Sequence, residues 1–374
     1  MRVLYIAPLP PPITGHSIAA QVLLEHLQLR HQVEVVNLSE GSDHDGTVSG
    51  KRVLAVLRLL RKVYAAARRA DRVYLTISES VAGNLKDLLI YVLVGKLKRS
   101  TVLHLHGGSF RQQILDRSPR LRRMNGLFLS RIGAAIVSGP SHLAIFDNLI
   151  APDRIRTIPN FAQDFMFTSP AEVECKFADP RQPTRVLYIS GMTKGKGYLR
   201  LLEAYEGLDA QAKVHLRIDF AGKFDDPAEQ AAFVARIDQQ PGLAYHGLVA
   251  DAQKAALFAA AHVFCLPTSF MEGQPISILE AYASGCVVLS TPRPGILDIF
   301  APQENGFVIE PDGVALLHTV LATHCQDLAA LRTIALHNRA QAEMNFRVNV
   351  FCERVEQVLD ATHPSSADAI PLAR

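Results

Sequence analysis

Short apolar runs alternate with helix-length amphipathic segments along the whole chain. In the first half "RVLYIA", "QVEVVNL", "RVYLTI", "TVLHLH" and "AAIVS" read as strands. In the second half the strands are "RVLYIS", "LRIDFAG", "LAYHG", "HVFCLP", "CVVLST" and "GFVIEP". Runs this short and this apolar are buried on both faces, the pattern of a parallel sheet covered by helices. Both halves open on the pentapeptide RVLYI, at 2–6 and 185–189, and each copy leads into a Gly-bearing loop. Two similar α/β units are the economical reading. A length of 374 residues, more than one comfortable core, agrees.

The boundary is expected in 158–184, a stretch rich in Pro, Asp and aromatic residues without clear periodicity. This gives a first domain over 1–165, a second over 166–345, and a C-terminal helix and tail over 346–374. The segment "FRVNVFCERVEQVLDA" has helical spacing and is expected to pack back toward the first domain. The final "HPSSADAIPLAR" reads as a frayed end.

Composition narrows the class. The five cysteines, Cys175, Cys265, Cys286, Cys325 and Cys352, are an odd number without CxxC spacing. They argue for a reducing compartment and against a structural zinc site, and are expected to pack as small buried hydrophobes. Met1 leads straight into "RVLYIAP" without a leader pattern, and the longest apolar runs, such as 87–95, are far short of the roughly 20 residues of a membrane span. The expectation is a cytoplasmic protein.

The net charge of +3 hides an asymmetry. Residues 1–165 hold 22 Lys/Arg against 12 Asp/Glu, and the remainder holds 17 against 24. A basic half suggests an anionic partner. On a helical wheel Lys51, Arg58, Arg61, Lys62, Arg68 and Arg69 share one face, with Val53, Val56, Leu57, Leu60, Val63, Tyr64 and Ala67 opposite. Arg111, Arg117, Arg120, Arg122 and Arg123 add a second basic cluster against Asp116 alone. Two readings stand: a packing helix with a solvated basic face, or contact with anionic lipid headgroups or a phosphorylated lipid acceptor. No nucleic-acid-binding module accompanies the charge, so nucleic acid is not expected.

The richest stretch is "SFMEGQPISILEAYASG", 269–285. It follows the strand "HVFCLP" and reads as a turn, a Pro near the first helical position, a helix, and a closing Gly285. Glu272 falls in the loop and Glu280 one to two turns into the helix. Eight residues of helix span about 12 Å, whereas retaining glycosidases hold their carboxylates about 5 Å apart. The spacing suits a ligand with two polyhydroxy ends and an anionic middle, held by a carboxylate at each end and by helix N–H groups between. A nucleoside-diphosphate sugar has that shape. The bland alternative is a surface helix with two solvated glutamates.

This segment resembles the signature of the family-4 retaining glycosyltransferases of GT-B fold, whose E-x7-E pattern Glu272 and Glu280 match. The resemblance implies an α/β fold of two Rossmann-like parallel-sheet domains facing across a cleft. It implies that Glu272 contacts the donor sugar, that Glu280 contacts the ribose, and that the backbone from Gly273 through Gln274 and Pro275 to Ile276 lies against sugar and phosphate.

Other pieces are similar to the same family. In "SGMTKGKGYLRLLEAY", Gly191, Gly195 and Gly197 permit close backbone approach, and Lys194 and Lys196 can reach phosphate oxygens. Lys196-Gly197 matches the family's Lys-Gly. Its arginine position holds Met192, so Lys194 is suggested to supply the missing charge. In "PLPPPITGHS", Gly15 matches the first glycine of the family's Gly-Gly loop and His16 replaces the second, implying contact with donor phosphate or acceptor hydroxyl. In "TVLHLHGGSF", His106 maps onto the histidine that touches the donor sugar, while His104 reads as a packed core residue. Asn160 of "IPNF" either orients the linker or is a plain turn residue. Gly222 and Gly247 read as packing and loop geometry.

The resemblance implies a retaining, metal-independent hexosyl- or glycosyltransferase without cofactor. Its donor is a nucleoside-diphosphate sugar and its acceptor a hydroxyl of a lipid-linked saccharide in cell-surface polysaccharide biosynthesis. Glu272, His106 and Lys196 are the expected catalytic residues. Lys194, Lys196 and the helix N-terminus after Gln274 would stabilise the departing diphosphate. On the second of the two readings of the basic residues at 51–69 and 111–123, the protein would attach peripherally to the inner face of the plasma membrane. A nucleotide-sugar epimerase or hydrolase of similar fold, and a non-catalytic nucleotide- or polyanion-binding scaffold, are the alternatives.

Overall fold

Two sets of short buried strands form separate sheets, six-stranded and parallel among the described residues. The structure is a computed structural model describing residues 1–40, 50–311 and 313–362, with the side chains of 50–53 outside the description. The tail expected at 363–374, and the Lys51 and Val53 side chains, thus lie outside the described residues.

The first sheet is built from β1 (Arg2–Ala7), α1 (Gly15–Gln28), β2 (Gln32–Asn37), α2 (Gly50–Ala67), β3 (Arg72–Thr76), α3 (Val81–Leu93), β4 (Thr101–Leu105), α4 (Pro119–Leu129), β5 (Ala134–Val137) and β6 (Ile155–Thr157). Its strand order is β2-β1-β3-β4-β5-β6. Alternation along the strands sorts the two faces. Leu4, Ile6, Val73, Leu75, Leu103 and Leu105 belong to a buried cluster with Val63 of α2, Ile90 of α3 and Phe128 of α4. The intervening positions stack Tyr5 on Tyr74, with ring centroids 4.8 Å apart. The Tyr5 hydroxyl donates to the Ala20 carbonyl of α1 at 2.6 Å.

The second sheet follows α5 (Pro170–Lys176) and comprises β7 (Thr184–Ile189), α6 (Tyr198–Glu206), α7 (Ala210–Val214), β8 (Leu216–Ala221), α8 (Pro227–Ile237), β9 (Leu243–Tyr245), α9 (Asp251–Ala260), β10 (Val263–Leu266), α10 (Ile276–Ala283), β11 (Val287–Ser290), α11 (Pro294–Leu297) and β12 (Gly306–Val308). Its order is β12-β11-β10-β7-β8-β9. Helices α12 (Ala315–Ala322) and α13 (Leu328–Asn345) follow. The last helix, α14 (Val348–Ala361), packs on the first sheet. There buried Phe351 lies 6.1 Å from the His104 ring, and Glu356 accepts from His26 and His31 at 2.9 Å and from Arg30 at 3.0 Å. Unit 1 is Met1–Pro159 with the chain from Asn349, and unit 2 is Asn160–Val348.

The two α/β sheets agree with the fold read from the pattern. Strand β6 was not anticipated: its "IRT" is one apolar residue in three, half-buried at a sheet edge. Three other differences have local causes. In α2 the buried seam is Leu59, Val63 and Ala66, which leaves Leu57 and Tyr64, assigned to the apolar face, 53% and 52% exposed. The apolar arc is wider than the groove it packs into. Lys62 and Arg69 pair with Glu40 and Glu34, each at 2.8 Å, so part of the basic face is neutralised by unit 1 itself. Cys175 is exposed, unlike the other four cysteines, because it lies on the outer side of the short α5.

Candidate functional site

In unit 2 the chain runs from β7 outward to β8 and β9, then returns to β10 on the other side. The carboxyl ends of β7 and β10 therefore flank a topological switch point, where open α/β sheets bind ligands. The loop after β7 carries Lys194 and Lys196, and the loop after β10 carries Glu272.

These two loops are tied together. Both the backbone N–H and the hydroxyl of Ser269 donate to the Gly195 carbonyl, at 2.8 and 3.0 Å. Gly197 has φ +87°, and a Cβ there would sit 2.0 Å from the Pro267 carbonyl oxygen, so only glycine fits. Gly195 lies under the Phe270 ring, whereas Gly191 faces open space. Lys196 Nζ reaches Glu272 Oε1 at 2.7 Å, and the buried Thr268 hydroxyl donates to the same oxygen at 2.7 Å. A cation and a carboxylate thus stand side by side at the switch point, both mostly shielded from solvent. Lys194 turns elsewhere: its ammonium pairs with Glu229 at 3.1 Å in a largely exposed contact. Met192 is buried in the core, so no cation stands at that position.

The turn between the glutamates is held from two sides. Gln274 is buried, and its Oε1 accepts the Asn160 N–H at 2.6 Å while its carbonyl accepts from Asn160 Nδ2 at 2.9 Å. Asn160 is therefore a clamp on the turn, and the Gln274 side chain is committed to it. On the other side the Gly295 backbone abuts Gly273: a Cβ at 295 would meet the Gly273 oxygen at 1.5 Å. Pro275 caps α10 without a side-chain hydrogen bond, which leaves the first-turn N–H groups beginning at Ile276 without a side-chain acceptor. Glu280, in the middle of α10, is 1% exposed and pairs with Lys254 of α9 at 2.5 Å. Its second oxygen, Oε2, is buried without a hydrogen-bond partner. The solvated-glutamate alternative does not describe either carboxylate.

In unit 1 the switch point lies between β1 and β3. A cavity of about 320 Å³ there is lined by Pro8, His16, Thr76, Glu79, Lys86 and His106, among others. Thr14 caps α1 in a reciprocal pair with Ser17, which sets Gly15 and His16 in the first helical turn. His106 stacks between His16, at 4.4 Å, and His104, at 3.9 Å. His104 is fully buried and shares a 2.7 Å hydrogen bond between its Nδ1 and the Tyr74 hydroxyl. Burial lowers His16 to about 4 and His104 to about 3, and pushes His106 well below the usual histidine value. All three rings are thus neutral near pH 7, and all three Nε2 atoms are buried without a partner. Glu79 accepts the Ser109 N–H at 2.6 Å, and burial raises its pKa. Burial also lowers Lys86.

Several residues here escaped the sequence reading. Lys254 is the lone charge in "AQKAALFAA", a signal available only if a buried partner is suspected. Arg293 caps α11 two residues before Gly295, and its Nε is buried without a partner. Glu79 and Lys86 join the cavity through the loop after β3 and helix α3, which no motif marks. Among the described residues no group of three His, Cys, Asp or Glu could hold a metal ion.

Residues 183–327, which contain the whole unit-2 switch point, match the family model described as "Glycosyl transferases group 1". The amylovoran biosynthesis glycosyltransferase AmsK of Erwinia amylovora is 24% identical over 201 residues, 52% of this chain and 49% of that protein. The putative colanic acid biosynthesis glycosyltransferase WcaL of Escherichia coli K12 is 24% identical over 188 residues, 49% of this chain and 46% of that protein. The match therefore spans about half the length of each relative. The crystal structure of HepE from Anabaena in complex with UDP and glucose has TM-score 0.69 and 18% identity, covering 96% of this chain and all of that one. It shares the two-sheet GT-B fold. Over residues 183–327, less than half of its length, the chain is thus similar to the glycosyl transferases of group 1.

Proposed function

We propose that the protein transfers a sugar from a nucleoside-diphosphate sugar to a hydroxyl of a lipid-linked saccharide, with retention and without a metal ion, in cell-surface polysaccharide biosynthesis. One observation carries the reading: within the matched segment, Lys196 and Glu272 stand paired at the switch point with the turn to α10 beside them. A carboxylate there accepts donor-sugar hydroxyls, and the ammonium next to it takes the phosphate. The first turn of α10, which no side chain caps, adds to the positive side. Catalysis rests on positioning and on stabilising the departing diphosphate. Lys196 has this role; Lys194, occupied by Glu229, is the outer cation.

The unit-1 cavity supports a saccharide acceptor. Each neutral imidazole of His16 and His106 offers a sugar hydroxyl one acceptor and one N–H donor, the Glu79 carboxylate is a further acceptor, and Lys86 is a donor. HepE has been crystallised with UDP and glucose, and AmsK and WcaL are named for polysaccharide synthesis, which favours this substrate class.

Assay with UDP-, GDP- and ADP-sugars and a lipid-linked saccharide extract should give acceptor-dependent product of retained anomeric configuration. Glu272→Ala should lower turnover about a hundredfold or more, and Glu280→Ala should chiefly weaken donor binding. Unchanged rates in both would remove the site, and donor consumption independent of acceptor would favour the hydrolase or epimerase.

A peripheral membrane site is part of the proposal. Leu54, Leu57 and Tyr64 of α2, Leu85, Leu89 and Val92 of α3, and Met124 and Leu127 of α4 are exposed in the basic unit. Arg68 lies over the Tyr64 ring at 5.7 Å. Apolar residues among arginines suit the headgroup boundary of an anionic bilayer. Sedimentation with phosphatidylglycerol vesicles should carry the protein down, and Leu57→Ser with Tyr64→Ser should leave it in the supernatant. Equal pelleting of both forms would refute membrane contact through α2.

A further inference from the structure

We infer that Lys254 is a positioning residue for Glu280: it holds that carboxylate aimed so that Oε2 receives the ribose hydroxyls of the donor. The inference rests on the nucleoside-diphosphate-sugar reading above and adds to it a residue from a different helix.

Three observations lead there. Glu280 is 1% exposed in the interior of α10, a setting that strongly disfavours a lone carboxylate. Lys254 Nζ approaches Oε1 at 2.5 Å from α9, and is itself mostly buried. The other oxygen, Oε2, is buried and receives no hydrogen bond. One oxygen is thus neutralised and fixed in direction, while its partner keeps its lone pairs. An ionised carboxylate only accepts, so Oε2 calls for an O–H or N–H donor rather than an anion. A second cation is not needed, because Lys254 already balances the charge. The vicinal hydroxyls of a ribose supply the missing donors.

The contrast with Glu272 strengthens the assignment. There Lys196 and the Thr268 hydroxyl both bind Oε1, and Lys196 comes from the phosphate-side loop. Lys254 comes from the helix that precedes β10, away from that loop in sequence, and its ammonium donates to Glu280. Without Lys254, nothing fixes the direction of the Glu280 carboxylate, and Oε2 is no longer held toward the ribose hydroxyls.

The test uses the full-length protein, UDP, GDP and ADP, and the 2′,3′-dideoxy form of whichever binds most tightly, measured by calorimetry. Wild type should prefer the ribose form by about tenfold or more, as expected for a hydrogen bond to a charged group. Lys254→Met should lose that preference, with dideoxy affinity little changed and with donor KM raised more than kcat is lowered. Lys254→Arg should restore it. Glu280→Gln, which keeps the shape and does not depend on Lys254 for its charge, should lose the preference alone, and adding Lys254→Met to it should cost little more. The inference is overturned if Lys254→Met retains the preference, if it weakens ribose and dideoxy forms equally, or if the double variant falls well below Glu280→Gln. Wild type that binds none of the three diphosphates would overturn the donor reading itself, and the inference with it. Binding without ribose preference would overturn the inference alone.

Discussion

At the switch point of unit 1 three stacked imidazoles hold no charge, whereas at that of unit 2 two lysines stand against two glutamates. Both crevices form for the same reason, a parallel sheet whose strand order reverses beside its first strand. What lines them differs in kind. Unit 2 concentrates acid–base pairs, Lys196 with Glu272 and Lys254 with Glu280, about a turn that Asn160 and Gly295 fix. Unit 1 gathers neutral imidazoles whose Nε2 atoms have no partner, and keeps the polar cluster around Glu356 on α14, the last turn of α1 and the residues just after it. The proposed division of labour follows. Charged phosphates need fixed opposite charge, while a sugar hydroxyl needs acceptors that do not compete through charge.

The largest expected effect breaks the rigid side of this comparison. In Gly295→Ala the added methyl would overlap the Gly273 carbonyl, a backbone atom that cannot rotate away. The turn must shift, and a misplacement of about 1 Å at the reacting geometry costs roughly a hundredfold in turnover. Stability of unit 2 should fall by about 3 kcal/mol, as for other steric insertions in well-packed sites. Steady-state assay and urea unfolding measure both. Wild-type turnover in this variant would mean that the turn between the glutamates is not held to a fixed geometry, and unit 2 would lose its claim to preorganisation.

How much of this could be read beforehand depended on the range of the interaction. The strands stood out because each is a short apolar run bounded by loops, and only β6, with Arg156 and Thr157 at an edge, broke that rule. The Glu272-to-Glu280 segment was legible because turn, Pro and helix are contiguous in sequence. Lys254 was not, since its partner lies 26 residues away and its own neighbourhood is bland. For Asn160 the sequence leaves linker orientation and a plain turn equally open, because the partner that decides its role is 114 residues distant. Lys194 looked like a phosphate ligand because reach along the loop says nothing of Glu229 on α8. The periodicity of α2 identified its basic face, but the width of the groove beneath it decided that Leu57 and Tyr64 stay in solvent.

A smaller effect separates the units by acidity. His16, His104 and His106 have pKa values lowered by burial, to about 4 for His16 and about 3 for His104. Between about 6.5 and those values the unfolded chain binds protons that the folded unit refuses, so stability falls as pH drops through that window. Each such histidine contributes a slope of about 1.4 kcal/mol per pH unit while the difference persists. Asp87 acts in the opposite sense: burial raises it to about 6, so the folded unit takes up its proton first and gains stability as pH falls from there toward 3.8. Glu79, also raised by burial, works in the same direction as Asp87. Three lowered histidines outweigh these, and the net sign is acid lability. Among the described residues unit 2 has His262, lowered to about 4, as its counterpart, and so a shallower dependence. Hydrogen exchange, corrected for intrinsic rate, should show β1, β3 and β4 losing protection before β7 and β10 between pH 6.5 and 4.5. His16→Gln should remove about one proton from the unit-1 slope. Parallel loss in both units, or an unaltered slope in that variant, would show that the stacked imidazoles are not the neutral feature that distinguishes unit 1.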